Sequence, residues 1–105
     1  MSTTQVKHVT FTEAVLLRPT MYTLGGTFEE VVAFLEGYYS GMAKANPFAA
    51  PASEWMAFQH WLSEKLDVSS SDVFCKLREL HKDNQSLEKM AEWFARYREE
   101  SASRE

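Results

Sequence analysis

The hydrophobic positions between residues 27 and 42 recur at steps of three and four, which is the period of an amphipathic helix. The apolar stripe consists of Phe28, Val31, Val32, Leu35, Tyr38, Tyr39 and Met42. Thr27 and Glu30 have the spacing of a capping box, in which each side chain binds a backbone amide of the other residue. Glu29 and Glu36 fall on the opposite, solvent-facing side. We therefore expect a central helix that ends near residue 45 and whose apolar stripe is covered by the other helices of the fold.

The same period predicts four more helices. Thr10 and Glu13 repeat the capping-box spacing and predict a short lead helix, which ends before Pro19 because the residue before a proline is pushed out of the α region. Serines are the favoured residues at the starts of helices. The expected starts of the last three helices are Ser53, the 69–72 segment and Ser86, and these helices run to about residues 66, 82 and 98.

The predicted fold class is all-α, because no segment alternates with period two and the connections are short. A chain of 105 residues forms one domain with a single core. We expect a compact bundle of about five helices, one short and four longer, that spans residues 1–105. Residues 1–9 and 99–105 are polar ends that we expect to be frayed.

Three local features have structural interpretations. Gly37 and Gly41 lie on one helix face and indicate either close approach of another backbone, which we favour, or a weak point in the helix. Phe48 lies in a linker with two prolines and is predicted to anchor it to the core. Cys75 lies among apolar neighbours, so we expect a buried structural thiol. As the only cysteine, it excludes an internal disulfide.

The charge distribution favours a basic partner. The net charge is −4, which argues against general nucleic-acid binding, since that requires a basic face. Residues 27–67 contain six acidic and two basic side chains, a balance of −4 that equals that of the whole chain. An acidic face on these helices would steer a basic partner toward them, although an ordinary solvated surface is an equally good interpretation. No apolar run is long enough for a membrane span, and the polar start lacks a signal-peptide core. We therefore expect a cytoplasmic protein without membrane contact.

The sequence contains no motif typical of catalysis. His60 and Glu64 are one helical turn apart and have ligand chemistry, but two ligands do not make a metal site, and a hydrogen-bonded surface pair is the favoured interpretation. There is no nucleophile elbow, phosphate-binding glycine loop or dinucleotide fingerprint. We expect no catalytic residues, no cofactor and no metal.

A short pattern resembles one family. An R-P-x-M-Y segment is followed by a G-G turn, a helix ending in G-Y and an F-x-x-W-L helix. The matching residues are Arg18, Pro19, Met21, Tyr22, Gly25, Gly26, Phe34, Leu35, Gly37, Tyr38, Phe58, Trp61 and Leu62. The pattern covers residues 14–66 and resembles small bacterial immunity proteins of toxin–immunity pairs, including those of contact-dependent growth inhibition. A shared fold follows from such a pattern more readily than a shared target.

The resemblance implies a protein that binds and neutralises a cognate toxin domain. If the toxin is a nuclease, its basic active site would receive acidic side chains of the inhibitor. The expected contact residues are Glu29, Glu30, Glu36, Glu54, Tyr22 and Tyr39, of which Tyr39 is equally well explained as core. We expect a monomer or weak homodimer when free. The alternatives are a helical adaptor, a small enzyme that uses His60 and Glu64, and a nucleic-acid mimic, for which −4 is a low charge. Glu36→Lys is predicted to slow association without changing stability.

Overall fold

The computed structural model describes residues 10–81 and 85–103 and forms an all-α bundle, as predicted. Short 3-10 turns at Pro19–Met21 and Ser70–Asp72 precede the second and fourth helices. Within these residues there is no strand, and no helix is long and apolar enough to cross a bilayer. The five helices are α1 (Phe11–Leu17), α2 (Phe28–Ala45), α3 (Ala50–Leu66), α4 (Val73–Leu80) and α5 (Gln85–Ser103).

Both predicted capping boxes are confirmed, at Thr10 and at Thr27. At the start of α2 the Glu30 carboxylate accepts the amides of Thr27 and Gly25, at 3.2 and 2.9 Å. Gly26 has φ +65°, and a Cβ there would lie 2.8 Å from the Thr20 methyl group. Gly26 is therefore required by the turn that delivers the chain into α2.

The predicted serine caps of α3 and α5 are wrong. α3 begins at Ala50, with Pro51 in its first turn, where a missing amide hydrogen breaks no helical bond. Ser53 therefore lies inside this helix. Ser86 lies inside α5, is buried and donates a hydrogen bond of 2.8 Å to the His81 carbonyl. α5 also continues through residues 99–103, which were expected to be frayed. The expected fraying of residues 1–9 falls outside the described residues.

The helix at the centre of the bundle is α3 and not the predicted α2. α3 packs against α2, α4 and α5, whereas α2 packs mainly against α3 and α1. The reason is that α3 carries large rings on adjoining faces, so three neighbours are needed to cover them. Its buried residues are Ala52, Trp55, Phe58, Trp61, Leu62 and Ser63, and α2 adds Phe28, Val31, Leu35 and Tyr39.

Three local interpretations are also wrong. A Cβ placed on Gly37 or Gly41 would meet nothing within 4 Å, so among the described residues no backbone approaches this face closely. Phe48 is 90% exposed, because the early start of α3 leaves only a short surface turn before it. Cys75 is exposed, since Val73 and Leu77 share the buried face of α4 and the residue midway between them points away from it.

Candidate functional site

Two adjoining cavities lie along the seam of α2 and α3, where several predicted contact residues meet. The first, of about 350 Å³, is lined by Glu36, Tyr39, Lys44, Trp55 and Gln59, among others. The second, which we call the aromatic cavity, has a volume of about 240 Å³ and is lined by Thr10, Phe11, Tyr38, Tyr39, Met42, Pro51 and Glu54. Tyr39 lines both, so the two cavities adjoin at this ring.

Tyr39 is a core residue and not the exposed anchor that was one of its two predicted roles. Its side chain is 4% exposed, and its hydroxyl lies 2.8 Å from the Thr12 hydroxyl of α1 in a buried hydrogen bond. Its ring stacks on Trp55 with centroids 5.6 Å apart. Tyr22, the other predicted anchor, is half-buried and meets Phe11 edge to face at 5.5 Å.

Tyr38 forms the accessible wall of the aromatic cavity. Its ring is 41% exposed, with its centroid 4.6 Å from that of Phe11 at an interplanar angle of 30°. It also meets Tyr39 edge to face at 5.1 Å and Phe34 at 6.1 Å. The helical period places Tyr38 in the buried stripe of α2, so the sequence does not identify it as a binding residue. Its position at the edge of the stripe is the signal in the sequence that could have indicated its exposure.

Three of the four predicted acidic contacts are held by the protein itself. The Glu36 carboxylate accepts hydrogen bonds from the Trp55 indole at 2.7 Å and from the Gln59 amide at 3.2 Å. Glu30 closes the capping box described above. Glu29 forms an ion pair with Arg78 of α4 across the surface, where such pairs contribute little to stability.

Glu54 is the predicted acidic residue whose charge remains available. It is half-buried in the first turns of α3 and lines the aromatic cavity. Among residues 10–81 and 85–103, no basic side chain forms an ion pair with it. A carboxylate beside aromatic rings is suited to receive a cation, because the ring faces are also electronegative.

The pKa of Tyr39 is shifted by its burial and by the groups around it. Burial raises the pKa of Tyr39 above its ordinary value of 10.0; the Thr12 hydrogen bond opposes this, and the charges of Tyr38 and Glu54 add to it. Since the folded-state pKa is raised, the unfolded chain ionises first. The resulting contribution to stability is complete below pH 10 and is lost as the pH rises through the folded-state pKa.

Tyr39→Phe is therefore expected to have two effects. At neutral pH it lowers the free energy of unfolding by about 1–2 kcal/mol, because the buried Thr12 hydroxyl loses its partner. Above pH 10 the variant loses stability less steeply than the wild type. Urea unfolding between pH 7 and 11 measures both effects. Tyr38→Phe leaves the Tyr39–Thr12 bond in place and removes only a minor cause of the raised Tyr39 pKa, so it should change the slope less than Tyr39→Phe does. Equal slopes for wild type and Tyr39→Phe would contradict this account.

A second depression lies between α2 and α4, on either side of the Glu29–Arg78 ion pair. Its apolar part has a volume of about 320 Å³ and is lined by Phe28, Val32, Phe74 and the exposed Cys75, together with the ion pair. Its other part, of about 530 Å³, adjoins Gly25, Gly26 and Leu87. Of the six predicted contact residues only Glu29 lies here, whereas three, Glu36, Tyr39 and Glu54, line the cavities of the α2–α3 seam.

The remaining candidates for chemistry do not converge. His60 and Glu64 are both exposed on α3, and neither lines the cavities of the seam. In the described part of the chain, no group of three His, Cys, Asp or Glu side chains is placed to hold a metal ion.

Comparison with known proteins adds no assignment: no family model, no curated protein and no solved structure matches this chain.

Proposed function

We propose that this chain is a non-catalytic, cytoplasmic immunity protein that binds and neutralises a bacterial toxin domain with a basic surface, such as a nuclease. The observation that carries the proposal is the available Glu54 carboxylate in the aromatic cavity at the α2–α3 seam. Of the four glutamates predicted to contact the partner, we therefore retain only Glu54. Glu29, Glu30 and Glu36 already have partners within the fold.

Binding at this seam suits an inhibitor of a phosphate-handling enzyme. Such an enzyme needs basic side chains in its active site, and the Glu54 carboxylate at this seam would pair with one of them without any chemistry of its own. The net charge of −4 would speed the encounter. An interface of about 800 Å² on each partner is typical of tight complexes, with a few central aromatic residues providing most of the affinity. We place Tyr38 and Glu54 at the centre of this interface.

The test is capture followed by rescue. The full chain is used as bait in lysate of its source organism at moderate salt, and captured proteins are identified by mass spectrometry. Each captured domain is then expressed in a susceptible bacterium with and without this chain. We expect one captured domain to be toxic alone and harmless when co-expressed with the wild type. Glu54→Lys should weaken capture at least tenfold, because it places a cation against the basic partner.

The matched control is Glu64→Lys, which makes the same charge change at an exposed position of α3 away from the seam. It should capture and rescue like the wild type. Capture of proteins that are not toxic, or rescue that fails with the wild type, would contradict the immunity proposal. Equal loss in both charge reversals would show that net charge alone, and not the seam, governs binding.

A further inference from the structure

The aromatic cavity combines three features that general partner binding does not require. Its wall contains the contacting rings of Phe11 and Tyr38, which are tilted by 30° with centroids 4.6 Å apart, and the Tyr38 ring is 41% exposed. The half-buried Glu54 contributes a carboxylate that pairs with no basic side chain of the described residues. The cavity volume of about 240 Å³ is small enough to select one side chain and not a whole helix.

These features are complementary to a planar cation. A guanidinium group stacks on aromatic rings and presents a fork of hydrogen-bond donors that matches a carboxylate, whereas an ammonium is a compact and more strongly hydrated charge. The chain stacks one of its own arginines in this way, since the Arg96 guanidinium carbon lies 4.6 Å from the ring centroid of Trp93. An incoming guanidinium would find the exposed ring of Tyr38 and the Glu54 oxygens at the same opening.

We infer that the aromatic cavity is a receptor for a single arginine side chain, which stacks on Tyr38 and forms an ion pair with Glu54. That this arginine belongs to the toxin rests on the proposed function. The preference for a guanidinium is a property of this chain alone. Within the complex, this arginine would be the partner's main anchor. A cation–π contact and an ion pair made together in a desolvated cavity are stronger than either contact made alone at the solvent-exposed rim of an interface.

The preference is tested without any toxin. The ¹⁵N-labelled full chain is titrated with Nα-acetyl-arginine amide at constant ionic strength, and amide shifts are followed by NMR. The matched ligand is Nα-acetyl-citrulline amide, which has nearly the same shape and no charge. We expect saturable shifts at Phe11, Tyr38 and Glu54 with the arginine ligand, with a dissociation constant in the millimolar range that is normal for one small contact. Citrulline should bind at least tenfold more weakly.

Two variants identify the residues responsible. Glu54→Gln keeps the shape of the side chain and removes its charge, and Tyr38→Leu removes the ring; each should weaken arginine binding at least fivefold. Glu64→Gln is the charge-matched control and should bind like the wild type. Thermal unfolding midpoints near that of the wild type establish that the variants fold. The inference is overturned if no saturable shift occurs, if citrulline binds equally well, or if Glu54→Gln binds undiminished.

The two proposals fail separately. If toxin capture and rescue succeed while the arginine titration fails, the immunity function stands and the arginine receptor does not. If the titration succeeds and no toxin is captured, the cavity binds arginine in a protein of another function. An equal preference for Nα-acetyl-lysine amide would overturn the assignment to a guanidinium.

Discussion

Phe58→Ala is expected to lower the free energy of unfolding by about 3–5 kcal/mol, the range for removing a large ring from a close-packed core. Phe58 is fully buried near the middle of α3, the helix that packs against three others. Its ring meets those of Phe94 and Tyr97 edge to face at 5.0 and 5.7 Å, which links α3 to α5. A protein of this size has a total stability of about 5–15 kcal/mol, so the change removes a large part of it.

The measurement is urea unfolding followed by tryptophan fluorescence, with a thermal melt beside it. We expect the melting temperature to fall by roughly 15 °C or more. Phe48→Ala is the matched control, since it deletes the same ring from a side chain that is 90% exposed. It should change stability by less than about 0.5 kcal/mol. If the two variants lost similar stability, the assignment of Phe58 to the core and of Phe48 to the surface would be wrong.

The helices could be predicted from the sequence because their signals are local. The apolar period of α2 and the capping boxes at Thr10 and Thr27 involve residues within a few positions of each other, and neither depends on the rest of the fold. The same reasoning failed at Ser53, because proline and serine both favour helix starts and the sequence does not rank them. The chain used the earlier signal, Pro51, and α3 gained one turn.

The arrangement of the helices could not be predicted in the same way. Which helix lies at the centre depends on how many faces are covered, and coverage is a property of the assembled bundle. α2 has the longer apolar stripe, yet Tyr38 at the edge of that stripe is 41% exposed because α1 and α3 leave this side open. The exposed glycines of α2 have the same explanation: in the described part of the chain, nothing packs closely against their face.

The candidate site shows why acidic residues are hard to interpret from sequence. A glutamate on the polar face of a helix looks available, but its partner is set by the fold. Both buried tryptophans of α3 donate their indole N–H to a carboxylate on a neighbouring helix: Trp55 to Glu36 of α2, and Trp61 to Glu100 of α5 at 3.0 Å. These pairs are 19 and 39 residues apart in sequence, and no local pattern connects them. The acidic residues therefore stabilise the bundle as well as giving it charge.

Glu36→Lys is for that reason expected to be destabilising, in contrast to the expectation from sequence that it would change only association. Trp55 is buried, and its indole N–H would lose a charged acceptor 2.7 Å away and face an ammonium that can only donate. The Gln59 amide would lose the same acceptor. A hydrogen bond to a charged group contributes about 1.5–3 kcal/mol, and leaving a buried donor without a partner has a cost of similar size. We expect a loss of about 2–3 kcal/mol.

The control for this prediction is again Glu64→Lys, which changes the net charge by the same amount on the exposed side of α3. Urea unfolding should find it within about 0.5 kcal/mol of the wild type. Glu36→Gln keeps an oxygen acceptor for the indole and should recover part of the stability lost in Glu36→Lys. If Glu36→Lys were as stable as Glu64→Lys, the carboxylate would not be holding Trp55, and Glu36 would be free to serve as the partner contact that the sequence suggested. If only Glu36→Lys loses stability, Glu36 serves to stabilise the fold, and Glu54 is the carboxylate that remains for binding the partner.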